Sequence, residues 1–399
     1  MSIKLMRRLD YWLGIPLCFL FTFFVHFSKL FLFKEKKKDI KKILFIKLSE
    51  IGSIILAYPL LQCTKRRYPQ SEIFFLSFKE NEAILEVLKI SKDRILSIRK
   101  GSIKEFILDT LRMIKKLRKE NIDVVFDLEF FSRFTAILSF LIKAKKRVGF
   151  YHYTFEGLYR GELLTHKIQY NPLIHISKVY LSFLQVIEKE KKNTPELEEK
   201  INEDDINLPK FAASEQEKEE MLNKLKDAGI NEKAKLFLIN LGEGNIPLRE
   251  WPLENFISLS KMILEDDEEN CIIIVGKNLS YKVKEFCKKF SEKRVINLAG
   301  KTTLKELLTL FEISEALICC DCGLAHLASL TSVKKFVIFG PESPLVFSPL
   351  GENAYIIYSN LPCSPCLSVL NHRCSACKDN KCLKVIKPEE VYRVVKSAV

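Results

Sequence analysis

From Lys41 onward the chain alternates short, continuous apolar runs with longer amphipathic ones. The first half offers strands near Ile43–Lys47, Ile73–Ser77, Ile95–Ile98, Val124–Asp127 and Arg147–Gly149, with helical stretches such as Ile54–Arg67 and Phe106–Lys119 between them. The second half offers strands near Leu236–Asn240, Cys271–Val275, Val295–Leu298, Ala316–Cys320, Lys335–Phe339 and Ala354–Ile357. Runs that are apolar on both faces suit a parallel sheet covered by helices on each side. Strands alternating with helices imply right-handed crossovers and an α/β class. A charged stretch poor in apolar residues, Glu188–Asp205, ends before Pro209 and reads as a connection. The pattern therefore predicts two Rossmann-like parallel-sheet domains, over residues 40–190 and 233–399, joined through 191–232. No solenoid-type repeat is seen.

Ahead of them lies a different texture. Residues 11–28 contain no Lys, Arg, Asp or Glu, the lower limit of length for a spanning helix. Gly14, Cys18, Thr22, His26 and Lys29 recur every three or four residues, a weakly polar stripe on a helix rich in Phe and Leu. Both flanks are basic: Lys4, Arg7 and Arg8 before, Lys34, Lys36, Lys37 and Lys38 after. Positive flanks on both sides favour retention of both ends in the cytoplasm. The expectation is that residues 1–39 form a membrane-associated segment, with residues 12–33 an amphipathic or re-entrant helix on an anionic membrane surface. A spanning helix stays open. A helix packed on the protein itself would need a large partner surface for the seven Phe residues between 19 and 33.

Composition narrows the classes. The chain has 399 residues and a net charge of +14, with 47% hydrophobic and 29% charged residues, so it folds and has room for two or three domains. A basic surface suits phosphorylated substrates, anionic lipid or nucleic acid. No zinc-finger, helix-turn-helix or RNA-binding signature appears, so nucleic acid is not expected as a partner. Neither Gly-x-Gly-x-x-Gly after the first strands nor a Walker A loop occurs, which argues against dinucleotide oxidoreductases and P-loop NTPases. No small-x-small cleavage site follows the apolar start, so a reducing cytosol is expected. Of twelve cysteines, Cys271, Cys319 and Cys320 sit in apolar runs, whereas five fall between Cys363 and Cys382. Cys363, Cys366, Cys377 and Cys382, with Cys374 as a fifth, have the spacing of a closed, structural Zn²⁺ shell. Free thiols or a conditional disulfide fit the same spacing.

The most informative passage runs from Ala316 to His326, followed by Lys335 to Pro341. An apolar strand reaches Asp321, Gly323 follows, and a helix starts with His326 one turn in; the second strand ends at Gly340-Pro341. Two consecutive strand ends then open toward one place, which in open α/β sheets is the ligand crevice. An ordinary junction with Asp321 capping the helix would read the same over those few residues. The longer pattern resembles glycosyltransferase family 9, the heptosyltransferase-like enzymes: Asp321-Cys-Gly323-x-x-His326, Phe339-Gly340-Pro341, Pro344, Pro349-Leu-Gly351 and Cys363-Ser-Pro-Cys366. The resemblance covers roughly residues 40–395. It departs at Cys322, where the family has Ser or Thr. It implies a GT-B arrangement, two Rossmann-like domains facing across a cleft.

On the donor side, the strand ending at Asn240 opens into a loop with Gly242 that leads to Arg249-Glu-Trp251-Pro252. This resembles the family's basic residue before Trp-Pro, and implies that Arg249 stabilises the departing diphosphate. With Asp321, Cys322, Gly323 and His326, these residues form the expected donor-binding set. On the acceptor side, the first strand leads through Glu50 to Ser53. The family's proposed general base is an Asp at the position of Ser53, and serine does not serve as base at pH 7 without a partner. Glu50 in the same loop is the nearest substitute; Asp127 and Glu129 form a second acidic pair at a strand end, where capping or structural hydrogen bonding is the expected use of Asp127 and an acceptor-side role the alternative. Tyr151, His152, Tyr153, Tyr159 and nearby arginines suit a glycan, and a tyrosine-packed loop equally. The activity the resemblance implies is inverting, metal-independent transfer of a sugar, with heptose the family's sugar, from a nucleotide-diphosphate donor to a lipid-linked glycan such as lipopolysaccharide core, on the cytoplasmic face of the cell membrane. A catalytically inactive sugar-nucleotide-binding protein, which Ser53 favours, and a GT-B-like epimerase are the alternatives.

Overall fold

A computed structural model describes residues 3–29, 39–48, 50–151, 159–189, 200–242, 246–277, 280–291 and 293–399. The chain divides into two compact units, Met1–Ile206 and Asn207–Val399. Expectations that rest on Lys34 and Lys36–Lys38, on His152 and Tyr153, and on residues 191–199 lie outside the described residues.

Each unit holds a six-stranded sheet in which all recorded pairings are parallel. The first comprises β1 (Lys42–Ile46), β2 (Glu72–Phe78), β3 (Ile95–Ile98), β4 (Val124–Asp127), β5 (Lys146–Tyr151) and β6 (His166–Gln169), in the order β3-β2-β1-β4-β5-β6. The second comprises β7 (Lys235–Ile239), β8 (Asn270–Ile274), β9 (Val295–Asn297), β10 (Ala316–Cys320), β11 (Lys334–Phe339) and β12 (Ala354–Tyr358), in the order β12-β11-β10-β7-β8-β9. Read from the other edge, the second order is the same as the first. Both are doubly wound Rossmann orders. Their direction reverses between β1 and β4 and between β7 and β10, which are the points where such sheets bind ligands.

Burial on both sheet faces explains the unbroken apolar runs. Every residue of β4, β8 and β10 is buried. Leu44, Ile46, Leu76, Ile98 and Val125 centre the first core; Ile239, Phe256, Ile272, Ile318 and Phe336 are buried in the second. The expected single helix over Ile54–Arg67 is two helices, Ile51–Leu56 and Tyr58–Arg67, because Pro59 has no N–H to give the Ile55 carbonyl and sits instead in the first turn of the second helix.

The N-terminal segment forms helices Ile3–Trp12 and Gly14–Lys29. The small-residue stripe faces the protein, so one face of this helix takes the packed arrangement that was the alternative to an interfacial helix. Gly14 lies against Arg133, where an added Cβ would come within 2.7 Å of the arginine's Cβ. Cys18 is fully buried, and Thr22 Oγ1 accepts the Glu162 N–H at 2.9 Å. Val25 is buried and Phe21 packs with its ring centroid 5.4 Å from that of Phe140, tilted at 35°, whereas His26 is exposed. Asp10 accepts the Phe134 N–H at 2.8 Å and so satisfies the start of helix Arg133–Leu141. The opposite face stays open: Phe19, Phe23, Phe24 and Phe27 are all more than half exposed. Leu5–Phe27 is long and apolar enough to cross a membrane, by length and composition.

Candidate active site

At the switch point of the second sheet, β7 delivers Asn240 and β10 delivers Asp321. Asn240 is 1% exposed and is fixed on both sides of its amide. Its Nδ2 donates to the Val275 carbonyl at 3.0 Å, and its Oδ1 accepts the Gly242 N–H at 3.1 Å. The Cys322 thiol lies 3.8 Å from the same oxygen. Gly242 and Gly276 have φ of 113° and 99°, and a Cβ on Gly276 would meet Asn240 Nδ2 at 2.1 Å. Glycine at 276 is therefore demanded twice, by the positive φ and by the close approach.

Arg249 ends a short 3₁₀ turn, Pro247–Arg249, and its neighbour Trp251 anchors it. Trp251 is 2% exposed, donates through Nε1 to the Ile386 carbonyl at 3.1 Å, and packs edge-on to Phe256 at 4.9 Å. From this anchor the Arg249 guanidinium reaches Asp321 Oδ2, with Nε at 3.4 Å, and makes an ion pair and hydrogen bond through Nη2 to Glu342. Asp321 does not cap the helix Gly323–Ala328; Cys322 holds that position and no side chain caps it. The alternative reading of Asp321 as a helix cap is thus excluded. His326 is buried within that helix, one turn after Gly323. The structure brings Asn240, Gly242, Cys322, Arg249 and Asp321 to the ends of β7 and β10.

Glu342, which the sequence reading missed, is 1% exposed beyond the Gly340-Pro341 end of β11. Burial pushes its carboxyl upward, against the opposing pull of Arg249 and Arg373. Arg373 Nε lies 3.9 Å from Glu342 Oε1. An acid placed directly after a strand-end Gly-Pro was the available signal, by the same reasoning that selects Asp321.

The first sheet's switch point carries the acceptor-side candidates. Glu50 is exposed at the N-terminus of helix Ile51–Leu56, with φ 68° and ψ 106°, a conformation that L residues rarely hold. Ser53 is buried one turn on, and its Oγ donates to Glu50 Oε2 at 3.2 Å. Glu129 accepts the Leu48 N–H at 2.7 Å and pairs with buried Lys47 at 3.3 Å. Asp127 is wholly buried, hydrogen-bonded and ion-paired to Arg160 and accepting from Thr135 Oγ1 at 2.9 Å. Burial raises its carboxyl, with Arg160 opposing. Asp127 has the structural use expected of it, and its alternative place on the acceptor side is corrected: its two partners hold it inside the sheet, away from solvent.

The cysteine cluster needs correction too. Among the described residues no group of three or more His, Cys, Asp or Glu side chains is placed to hold a metal ion. Cys363, Cys366, Cys377 and Cys382 are free thiols that do not form the Zn²⁺ shell their spacing suggested. Cys377 turns its thiol to the Asp379 carbonyl at 3.0 Å and is exposed with Cys363, while Cys382 is buried beneath. Burial raises the Cys382 thiol, and Cys366, Cys363 and Cys377 add to the rise.

Comparison with known proteins identifies the family. The sequence profile of Glycosyltransferase family 9 (heptosyltransferase) matches residues 110–374. Lipooligosaccharide heptosyltransferase 2 of Campylobacter jejuni is 30% identical over 169 residues, which are 41% of this chain and 50% of that protein. The chain thus spans about half the length of the first curated relatives it matches. Lipopolysaccharide heptosyltransferase 2 of Salmonella typhimurium is 23% identical, over 79% of this chain and 87% of its own. The solved E. coli ADP-heptose LPS heptosyltransferase II shares the fold with a TM-score of 0.67 at 19% identity, covering 90% of this chain and 98% of that one. A family 9 glycosyltransferase from Veillonella parvula gives 0.68 at 18% identity, over 92% and 99%. The chain belongs to glycosyltransferase family 9, the heptosyltransferase family.

Proposed function

We propose that the chain is a membrane-associated, inverting glycosyltransferase. It moves a heptose from a nucleotide-diphosphate donor to a lipid-linked glycan, such as lipopolysaccharide core, at the cytoplasmic face of the cell membrane. The observation that carries this reading is the placement of Arg249 against Asp321 at the switch point of the second sheet. Sugar transfer breaks the anomeric C–O bond and leaves negative charge on the diphosphate. A guanidinium held in place, in a site that excludes much of the solvent, stabilises that charge without reorganising. Asn240, Gly242, Cys322, Gly323 and His326 complete the donor side. The names of the curated relatives, lipooligosaccharide and lipopolysaccharide heptosyltransferases, support heptose and this class of acceptor. The solved E. coli relative named for ADP-heptose supports that donor.

On the acceptor side, Glu50 takes the proton from the nucleophilic hydroxyl. Ser53 cannot replace the carboxylate there, but its hydrogen bond to Glu50 brings a carboxylate back to within one turn. The exposed Phe face of helix Gly14–Lys29 holds the protein at the lipid surface. The transfer needs no cofactor in this scheme. Ser53 also favours a second reading, an inactive protein that binds sugar nucleotides.

The test is release of ADP from ADP-heptose by the purified full chain in the presence of a lipid-linked core acceptor. Arg249→Ala should lower turnover by ~10²–10³-fold, the usual cost of removing one charge-stabilising donor. Tight donor binding with no transfer would select the inactive binder. Neither binding nor transfer would refute both readings.

A further inference from the structure

The five clustered cysteines are the sequence feature that the proposed reaction leaves unused, and the loop that carries them has contacts that give it a role. Its start is fastened to the end of β11. The Cys366 and Leu367 N–H groups both donate to the Pro341 carbonyl, at 2.9 and 2.8 Å, and Ser364 Oγ donates to the Gly340 carbonyl. Its end is fastened to the turn that carries Arg249. Asn380 Nδ2 donates to the Glu250 carbonyl at 2.7 Å and lies 3.4 Å from that of Leu248. Between these two anchors, Arg373 is held by its own N–H on the Ser368 carbonyl at 2.8 Å. Its guanidinium packs over the Phe347 ring at 5.3 Å and is 11% exposed.

We propose that this loop is part of the donor site and supplies Arg373 as a second diphosphate-binding arginine, with Glu342 as the positioning residue for both. The inference rests on the donor reading above. The two oxygens of Glu342 divide between two cations: Oε2 takes Arg249, and Oε1 faces Arg373. The Arg249 contact is a hydrogen-bonded ion pair, whereas Oε1 accepts no hydrogen bond and faces Arg373 Nε at 3.9 Å, so one buried carboxylate draws both guanidinium groups to the same place. Two arginines balance the two carboxylates Asp321 and Glu342, so the resting site is near neutral. Each guanidinium has five N–H donors in a planar fork, the geometry that matches phosphate oxygens bidentately. A diphosphate bound between them gains charge-assisted bonds from two sides, and the acids keep both cations aimed before it arrives.

The experiment is calorimetric titration of the full chain with inorganic pyrophosphate and, separately, ADP. Arg373→Ala should weaken both by roughly 10–100-fold, the scale of losing a hydrogen bond between charged groups. Arg373→Lys, which keeps the charge without the fork, should recover part of that loss. Arg249→Ala is the reference. If it weakens pyrophosphate binding and Arg373→Ala does not, this inference is overturned and the donor reading stands. If the wild-type chain binds neither probe, the donor reading fails and takes this inference with it. A loss in Arg373→Ala accompanied by a lower thermal midpoint, and not relieved by Lys, would assign Arg373 a packing role and overturn the proposal.

Discussion

Glu50→Gln separates a proton acceptor from everything else the side chain does. In the folded protein Ser53 Oγ donates to Glu50 Oε2 at 3.2 Å, and a glutamine carbonyl oxygen accepts that bond equally well. The left-handed backbone at φ 68° costs on the order of 1–3 kcal/mol and falls about equally on Glu and Gln. Only the carboxylate's basicity is removed. Removing a general base costs ~10²–10⁴ in rate, or roughly 2.7–5.5 kcal/mol of barrier at 1.36 kcal/mol per tenfold. Initial rates of ADP release against acceptor concentration should show the whole loss in kcat. Donor affinity should hold, because the donor residues belong to the second sheet. A carboxylate restored one turn away offers the converse test. Ser53→Asp in the Glu50→Gln background places an acid where the serine hydroxyl now meets Glu50, and should regain at least about tenfold in rate. A Glu50→Gln enzyme that turns over like the wild type would refute the assignment and move it to Glu129. Asp127, sealed against Arg160, is no substitute.

Two further outcomes follow from buried charge and exposed apolar surface. Lys335 is 2% exposed at the start of β11, and burial pushes its amine down to about 8. Its unfolded value is about 10.4, so between about pH 8 and 10.4 the unfolded chain binds the extra proton. In that window the lysine's contribution makes stability rise with pH; below pH 8 both states are charged and the desolvation cost is constant. Lys335→Met should therefore stabilise the second unit by roughly 1–3 kcal/mol at pH 7, with the advantage shrinking above pH 8; urea unfolding followed by fluorescence of buried Trp251 would read it, and equal midpoints at pH 7 would count against a buried charge. Phe23 and Phe27 are 65% and 56% exposed. Phe23→Glu with Phe27→Glu should abolish co-sedimentation with phosphatidylglycerol vesicles while leaving the thermal midpoint in place, and undiminished sedimentation would remove the helix from the membrane reading.

How much of this was legible along the chain varies with how local the signal is. Eleven strands announced themselves as apolar runs, because a parallel sheet buries both faces. The twelfth, His166–Gln169, did not: His-Lys-Ile-Gln has one apolar residue, and the strand lies at the edge of its sheet, paired on one side to β5. Arg249 and Asp321 were legible because each sits at a strand end within a longer motif. Their pairing was not, since it joins the ends of β7 and β10 across some seventy residues of chain. Glu342 and Arg373 are subtler. Glu342 had only its place after a strand-end Gly-Pro and Arg373 had no pattern at all; what joins them is tertiary contact between a strand end, a 3₁₀ turn and an irregular loop. Cysteine spacing misled for a related reason: spacing constrains which thiols can meet, but side-chain direction decides whether they do, and Cys377 faces a neighbouring carbonyl.

The N-terminal helix shows a pattern that the sequence displayed without showing which way it faced. The small and weakly polar residues Gly14, Cys18 and Thr22 form the inner stripe. Gly14 admits the Arg133 side chain, Cys18 fills a buried position, and Thr22 meets the backbone at Glu162. A close contact against another helix and a glycine-bearing loop needs small residues, for the same steric reason that lets backbones approach in any tightly packed pair. With the small side chains turned inward, the large ones must face out, and Phe19, Phe23, Phe24 and Phe27 do. A protein surface seldom exposes contiguous aromatic side chains without a partner. The small residues are taken up by packing within the first unit, and the face left open, with Phe19, Phe23, Phe24 and Phe27, is the one on which the proposed membrane contact rests.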